Sequence, residues 1–231
     1  MDHFKYIYTH RAAEYHRMIA VEDADARLLP AIEAVLPLAG KRVVDLGSGT
    51  GRIPLLLNGL AAKVAALDLH RAMLNENISQ RQRVGGNWTA VEGDMRRLPF
   101  PSQWADAVIS GWAIGHLRAW YAPDWRSHMT SILEEMHRVA APGGALIIIE
   151  TLSTGALTPA PPTVGLAEYY AWLETKWDFN RTEIRTDYQF ASVEEAIQCT
   201  EFFFGAKLAE AIRANHWERL PEWTGVWSKR V

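Results

Sequence analysis

Arg42-Val43-Val44-Asp45-Leu46-Gly47-Ser48-Gly49-Thr50-Gly51-Arg52 is the stretch from which the rest of the chain can be read. The β-branched run Arg42 to Leu46 predicts a short strand, the three glycines break it, and Ile53 to Leu60 continues with helical spacing. A glycine turn between a strand and a helix lets backbone approach a ligand, and ligands of open α/β sheets sit at the carboxyl ends of the strands. A dinucleotide fingerprint places its third glycine three residues after the second, a position occupied here by Arg52. The pattern is Gly-x-Gly-x-Gly, preceded by Asp45 inside the strand. A carboxylate there repels phosphate, and together with the turn carbonyls it suits the ammonium of an amino acid.

Outward from this turn the same alternation repeats. Strands are predicted at Lys63 to Leu67, Trp88 to Glu92, Ala105 to Ser110 and Ala145 to Glu150, with helices at Arg71 to Arg83 and Trp125 to Ala140. Short apolar strands separated by helices imply a doubly wound α/β fold, a mostly parallel sheet covered on both faces. A leading helix is expected over Ala24 to Leu36, ended by Pro37 and Gly40. After Glu150 the alternation stops. Leu152 to Gly165 reads as a connecting loop around Pro159-Ala160-Pro161-Pro162. Beyond it an aromatic helix (Ala167 to Trp177), an extended segment (Ile184 to Phe190), a helical pair (Val193 to Ala214) and a closing strand (Trp223 to Lys229) are expected.

The composition narrows the function. With 231 residues and 48% hydrophobic content, the chain can bury one sizeable core as a single domain. A net charge of -3 gives no basic footprint for phosphate neutralisation, which disfavours a nucleic-acid partner. The longest apolar runs are of buried-strand length, so no membrane insertion is expected. A single cysteine, Cys199, and a charged start at His3, Lys5, His10 and Arg11 read as a reduced, cytoplasmic protein. His10 and His16 stand apart from any carboxylate cluster with ligand spacing, and no metal is expected.

Taken with Val44 to Arg52, several segments in register resemble class I S-adenosylmethionine-dependent methyltransferases of the small-molecule, type 11-like kind. Asp68 ends the second strand, and Glu92-Gly93-Asp94-Met95-Arg96 follows the third. Asp106 to Ser110 looks like the fourth, and Glu135 to Gly144 is similar to the helix and turn before the fifth. The resemblance implies a Rossmann-like fold with a C-terminal cap insertion and S-adenosylmethionine as cofactor. It divides the single domain into an N-terminal lid and helix (1–40), a cofactor-binding core (41–151) and cap and closing elements (152–231). It assigns Gly47, Gly49, Gly51, Arg52, Leu69 and Ser110 to the cofactor's surroundings, Asp45 to its amino-acid end, Asp68 to the ribose, and Asp94 and Met95 to the adenine. Tyr8 and Tyr15, with Ala12 and Ala13 between them, are similar to a Tyr-x-x-x-Ala-x-x-Tyr lid. His70 and Ala140-Ala141 depart from the family pattern at positions outside the expected contacts.

The implied reaction is methyl transfer to a small-molecule acceptor by in-line displacement, which needs positioning and a water-poor site more than a nucleophilic side chain. Trp112, His116 and Tyr169 are candidates for the acceptor side, within an aromatic set whose members otherwise pack core and cap. His116 is either a general base or a brace for its loop, and Tyr8 and Tyr15 either meet the cofactor or pack the leading segment. A non-catalytic S-adenosylmethionine-binding module and a nicotinamide-dependent oxidoreductase are the rival readings. The segment Leu152 to Phe190, with the Tyr8 to Tyr15 lid, is expected to close over the acceptor.

Overall fold

The computed structural model describes residues 2–231. Two short helices open the chain, α1 (His3–His10) and α2 (Ala12–Ile19), followed by α3 (Leu28–Val35). The core then runs β1 (Arg42–Leu46), α4 (Arg52–Leu56), β2 (Lys63–Asp68), α5 (Arg71–Arg83), β3 (Thr89–Glu92), β4 (Ala105–Gly111), α6 (His116–Trp120), α7 (Trp125–Val139) and β5 (Ala140–Thr154). After it come α8 (Val164–Lys176), β6 (Asn180–Arg185), β7 (Tyr188–Gln189), α9 (Val193–Phe204), α10 (Ala206–Asn215), β8 (Arg219–Leu220) and β9 (Glu222–Arg230).

Seven strands form one sheet in the order β3-β2-β1-β4-β5-β9-β6. The neighbours from β3 to β5 pair in parallel, whereas β9 is antiparallel to both β5 and β6. This is the mostly parallel, Rossmann-like sheet that the alternation predicts. Alternate residues of each strand go to opposite faces: Val44, Leu146 and Ile148 pack under α7 and α8, while Val43, Ile147 and Ile149 pack under α3 and α4. Strand order reverses direction between β1 and β4, so the connections leave on opposite sides and a crevice opens above their carboxyl ends.

The structure corrects several boundaries. The leading helix starts at Leu28, four residues late, because Asp23 and Ala26 take positive φ and the Asp23 carboxylate accepts from the backbone N–H groups of Arg27 (2.8 Å) and Leu28 (3.0 Å). Strand β5 passes its expected end at Glu150 and reaches Thr154, since β9 pairs with it as far as Thr154 opposite Glu222. Beyond residue 152, β9 stands where the closing strand is expected, β6 joins the main sheet through it, and α8 buries Tyr169 and Leu173 against the sheet. Over the site, the two ends of the chain come together beside the 155–163 loop. Met18 and Ile19 of α2 pack with Ala196 of α9 and Ile212 of α10 in one apolar cluster.

One buried side chain fixes the glycine turn to the rest of the core. Asn77 of α5, fully buried, accepts from the Trp88 indole N–H at 2.7 Å and donates to Gly49 O at 3.3 Å and Ser48 Oγ at 3.4 Å. Replacing it strands a buried indole donor, which costs about 1–3 kcal/mol. Asn77→Ala is therefore expected to lower the unfolding free energy by about that amount in urea titration, and an unchanged midpoint would remove Asn77 as the turn's anchor.

Candidate functional site

Two cavities meet above the crevice. The smaller, about 140 Å³, lies over the ends of β1, β2 and β4 and the segment after β3. The larger, about 880 Å³, lies beneath α1, α2, α9 and α10 and the 155–163 loop. Both are lined by Tyr8, Tyr15, Arg52, Trp112 and His116, which form the shared wall.

The glycine turn has three separate physical causes. Gly47 takes φ +67°, and a Cβ there would lie 2.3 Å from the Ala113 side chain. Gly51, at φ +97°, faces the Asn77 amide at 3.1–3.2 Å and lines neither cavity. Both are demanded by backbone conformation and protein packing rather than by room for a ligand alone. Gly49, also at positive φ (+51°), faces the smaller cavity, and a Cβ there would lie 3.3 Å from the Met73 terminal methyl.

Three aspartates approach this cavity from successive strand ends. Asp45 is 1% exposed and neither of its carboxylate oxygens has a hydrogen-bond partner. Burial, with repulsion from Asp68 added, pushes its carboxyl well above the usual carboxylate range. Asp68 accepts from the backbone N–H of Gly49 at 2.8 Å and of His70 at 2.7 Å, one on each oxygen, leaving a lone pair on each for a further donor. The Asp94 carboxylate is gripped by Arg96, whose Nε lies 2.9 and 3.0 Å from its two oxygens, and these bonds hold its carboxyl below the usual range. The sequence gives no warning of that clasp, which a tight turn folds back over two residues. Met95 and the 57%-exposed Leu69 complete this side.

The remaining predicted residues divide. Arg52 donates to Glu22 at 2.7 Å, and its guanidinium lies 3.7 Å over the ring of Trp112, which is held at φ +52°. Tyr8 and Tyr15 meet edge to face at 5.5 Å in the shared wall. Besides Gly51, two more of the expected site residues line no cavity. Ser110 is fully buried with its hydroxyl donating to Leu46 O at 3.1 Å, and Tyr169 is fully buried against Trp125; neither lines a cavity, because both point into the sheet's packed layers. Tyr170, the next residue, faces the larger cavity instead. Sequence reasoning also passes over Glu22 and Glu150. Both line the larger cavity, and Glu150 was legible only as a strand end.

His116 shares a 2.8 Å hydrogen bond with the Tyr8 hydroxyl and stacks on Trp120 at 5.0 Å. Burial pushes its imidazole down to about 4, with nearby Asp2 opposing. A ring neutral at physiological pH and spent on Tyr8 ties α1 to the loop after β4, and it is a weak proton acceptor.

Residues 44–148 match the model of a methyltransferase domain family. The biotin biosynthesis bifunctional protein BioHC of Cellvibrio japonicus is 29% identical over 214 residues, covering 92% of this chain and 37% of that protein. The ubiquinone/menaquinone biosynthesis C-methyltransferase UbiE of Coxiella burnetii is 29% identical over 118 residues, 48% of this chain and 43% of its own. The chain thus spans less than half the length of these relatives. A crystal structure of a SAM dependent methyltransferase from Aquifex aeolicus has the same fold, with a TM-score of 0.59, 17% identity and 92% of each chain covered.

The His116 environment sets a sign for acid behaviour. The folded value, about 4, lies below the unfolded one of 6.5, so the unfolded chain takes up more protons between them and this residue's contribution to stability falls as pH drops through that window. His116→Gln is expected to flatten the acid side of the stability profile there, and the wild-type imidazole to stay neutral at about pH 5 in ¹H–¹⁵N spectra. An imidazole that titrates near 6.5 would overturn this description.

Proposed function

We propose that the protein is a class I, S-adenosylmethionine-dependent methyltransferase, which binds its cofactor in the smaller cavity and transfers the methyl group to a small molecule in the larger one; the match of residues 44–148 to a methyltransferase domain supports this. The observation that carries this reading is the unpartnered pair of oxygens on buried Asp45. A buried carboxylate without a partner is costly, and a ligand ammonium beside the turn would restore its charge balance. Asp68 keeps a free lone pair on each oxygen, which fits two vicinal hydroxyls. Asp94, still able to accept beyond its Arg96 bonds, and the Met95 amide stand where an adenine edge would lie. The ligand has the right donors for three carboxylates in a row, and a phosphate-bearing dinucleotide does not.

When bound, the cofactor supplies an electrophilic methyl on a sulfonium. The protein's part is placement and exclusion of water. Tyr8 and Tyr15 roof the junction of the two cavities, Gly49 leaves room at the turn, and Trp112, locked by Arg52, walls the passage from one to the other. His116 braces that wall through Tyr8. The large cavity beside the cofactor position favours catalysis over a binding-only role. A reduced, cytoplasmic setting belongs to the same reading, on the strength of the single Cys199. Among the described residues no helix is long and apolar enough to cross a membrane.

Calorimetric titration tests the assignment. Wild type should bind S-adenosylmethionine and give no heat with a nicotinamide dinucleotide. Asp68→Ala should weaken binding by about tenfold or more, since hydrogen bonds to a charged group are worth roughly 1.5–3 kcal/mol each. Full affinity in a folded Asp68→Ala protein would refute the site.

A further inference from the structure

Glu150 is the one carboxylate in the larger cavity that the fold buries without giving it a cation. It sits at 5% exposure on β5, beside the end of β4. Its Oε1 accepts from the Gly115 N–H at 2.8 Å, and Oε2 has no hydrogen-bond partner among the described residues. Of the other charged groups facing this cavity, Arg52 is paired with Glu22 and Arg118 with Glu168, each keeping one buried guanidinium nitrogen without a partner among the described residues; Asp2 accepts from the Trp120 indole N–H at 3.0 Å, and Lys207 stands on exposed α10. The Tyr8, Tyr169 and Tyr170 hydroxyls around Glu150 are held protonated by burial, and His116 is neutral. Aromatic rings form part of the remaining wall, among them Trp112, Tyr170, Phe203 and Phe204. A lone carboxylate among aromatic faces is the arrangement that holds an organic ammonium, through one charge-assisted hydrogen bond and attraction to the ring faces.

We propose that the methyl acceptor is a small amine with an apolar or aromatic body, and that Glu150 Oε2 receives its ammonium and takes its proton. This rests on the methyltransferase reading above. In the step, an N–H proton passes from the ammonium to Oε2, which leaves a neutral amine. The nitrogen lone pair then forms the new N–C bond as the methyl–sulfur bond breaks and its electron pair stays on sulfur. Positive charge moves from sulfur to the N-methylammonium, and Glu150 later returns its proton to water. Burial pushes the Glu150 carboxyl up to about 8, opposed by the Gly115 N–H, so it is mostly protonated at neutral pH before the ligand arrives. Pairing with an ammonium must therefore expel that proton.

The test uses the full chain loaded with S-adenosylhomocysteine and titrated with benzylamine as probe at neutral pH, in two buffers of different ionisation heat. Benzyl alcohol and benzoate serve as comparisons. Benzylamine should bind best, releasing about one proton per complex. Glu150→Gln, which keeps the oxygen that faces Gly115, should bind it about tenfold more weakly with no proton release while holding S-adenosylhomocysteine as wild type does. The buffer comparison on wild type stands even if the variant fails to fold. Benzylamine binding without proton release, equal binding by Glu150→Gln, or preference for benzoate or the alcohol would overturn this inference and leave the cofactor assignment intact. Failure of wild type to bind S-adenosylhomocysteine would overturn both.

Discussion

A charge buried without a partner governs this molecule. Asp45 lies one residue before the end of β1, an interior strand of a sheet whose faces are both covered, and among the described residues no donor reaches either of its oxygens. A carboxylate in such a place costs several kcal/mol unless something neutralises it, either a proton or a cation from outside. Burial, with repulsion from Asp68 added, pushes its carboxyl well above the usual carboxylate range. Around it stand Gly49 at the cavity wall, the Asp68 carboxylate oriented by two backbone N–H groups, and Asn77 clamping the turn from behind, and the proposed ligand ammonium would supply the missing partner.

Glu150 repeats the same device two strands away. One oxygen is tied to backbone, the other is free, and burial raises its proton affinity. Between the two lie residues that the fold has made rigid. Trp112 is held at positive φ by its own N–H to Ile149 O at 2.7 Å and by the Arg52 guanidinium against its ring. Such strain persists only where neighbours over-determine the conformation, and here it separates the two cavities.

The cap shows how function and packing share residues. Tyr8 and His116, 108 positions apart, close a hydrogen bond at the junction of the cavities, while Phe203 of α9 packs on both Tyr15 and Phe4. The helices that cover the site thus come from opposite ends of the chain and hold each other through aromatic contacts. A roof held by side-chain packing rather than by sheet hydrogen bonds can open at lower cost than the core beneath it.

The sequence by itself determined the alternation of strands and helices from Arg42 to Glu150, the spacing of the glycine turn, and the three aspartates at strand ends. These features are local: strand and helix periods, and turns that need positive φ, are properties of neighbouring residues. It did not determine that Gly51 serves Asn77 rather than a ligand, that Arg96 folds back on Asp94, or that Ser110 points at Leu46 O. It also set Tyr169 on the acceptor side, where its neighbour Tyr170 stands. Both are buried in the core, but adjacent helical positions differ by about 100° in direction, and only the packing of α8 against the sheet settles that Tyr170 alone of the two also reaches a cavity. The cap was likewise a tertiary decision. Residues 184–190 read as extended and 193–214 as helical from local pattern, but the strand forms earlier, at 180–185, because β9 pairs there, and the packing of 193–214 against Met18 and Ile19 joins segments too distant in sequence for any period to connect.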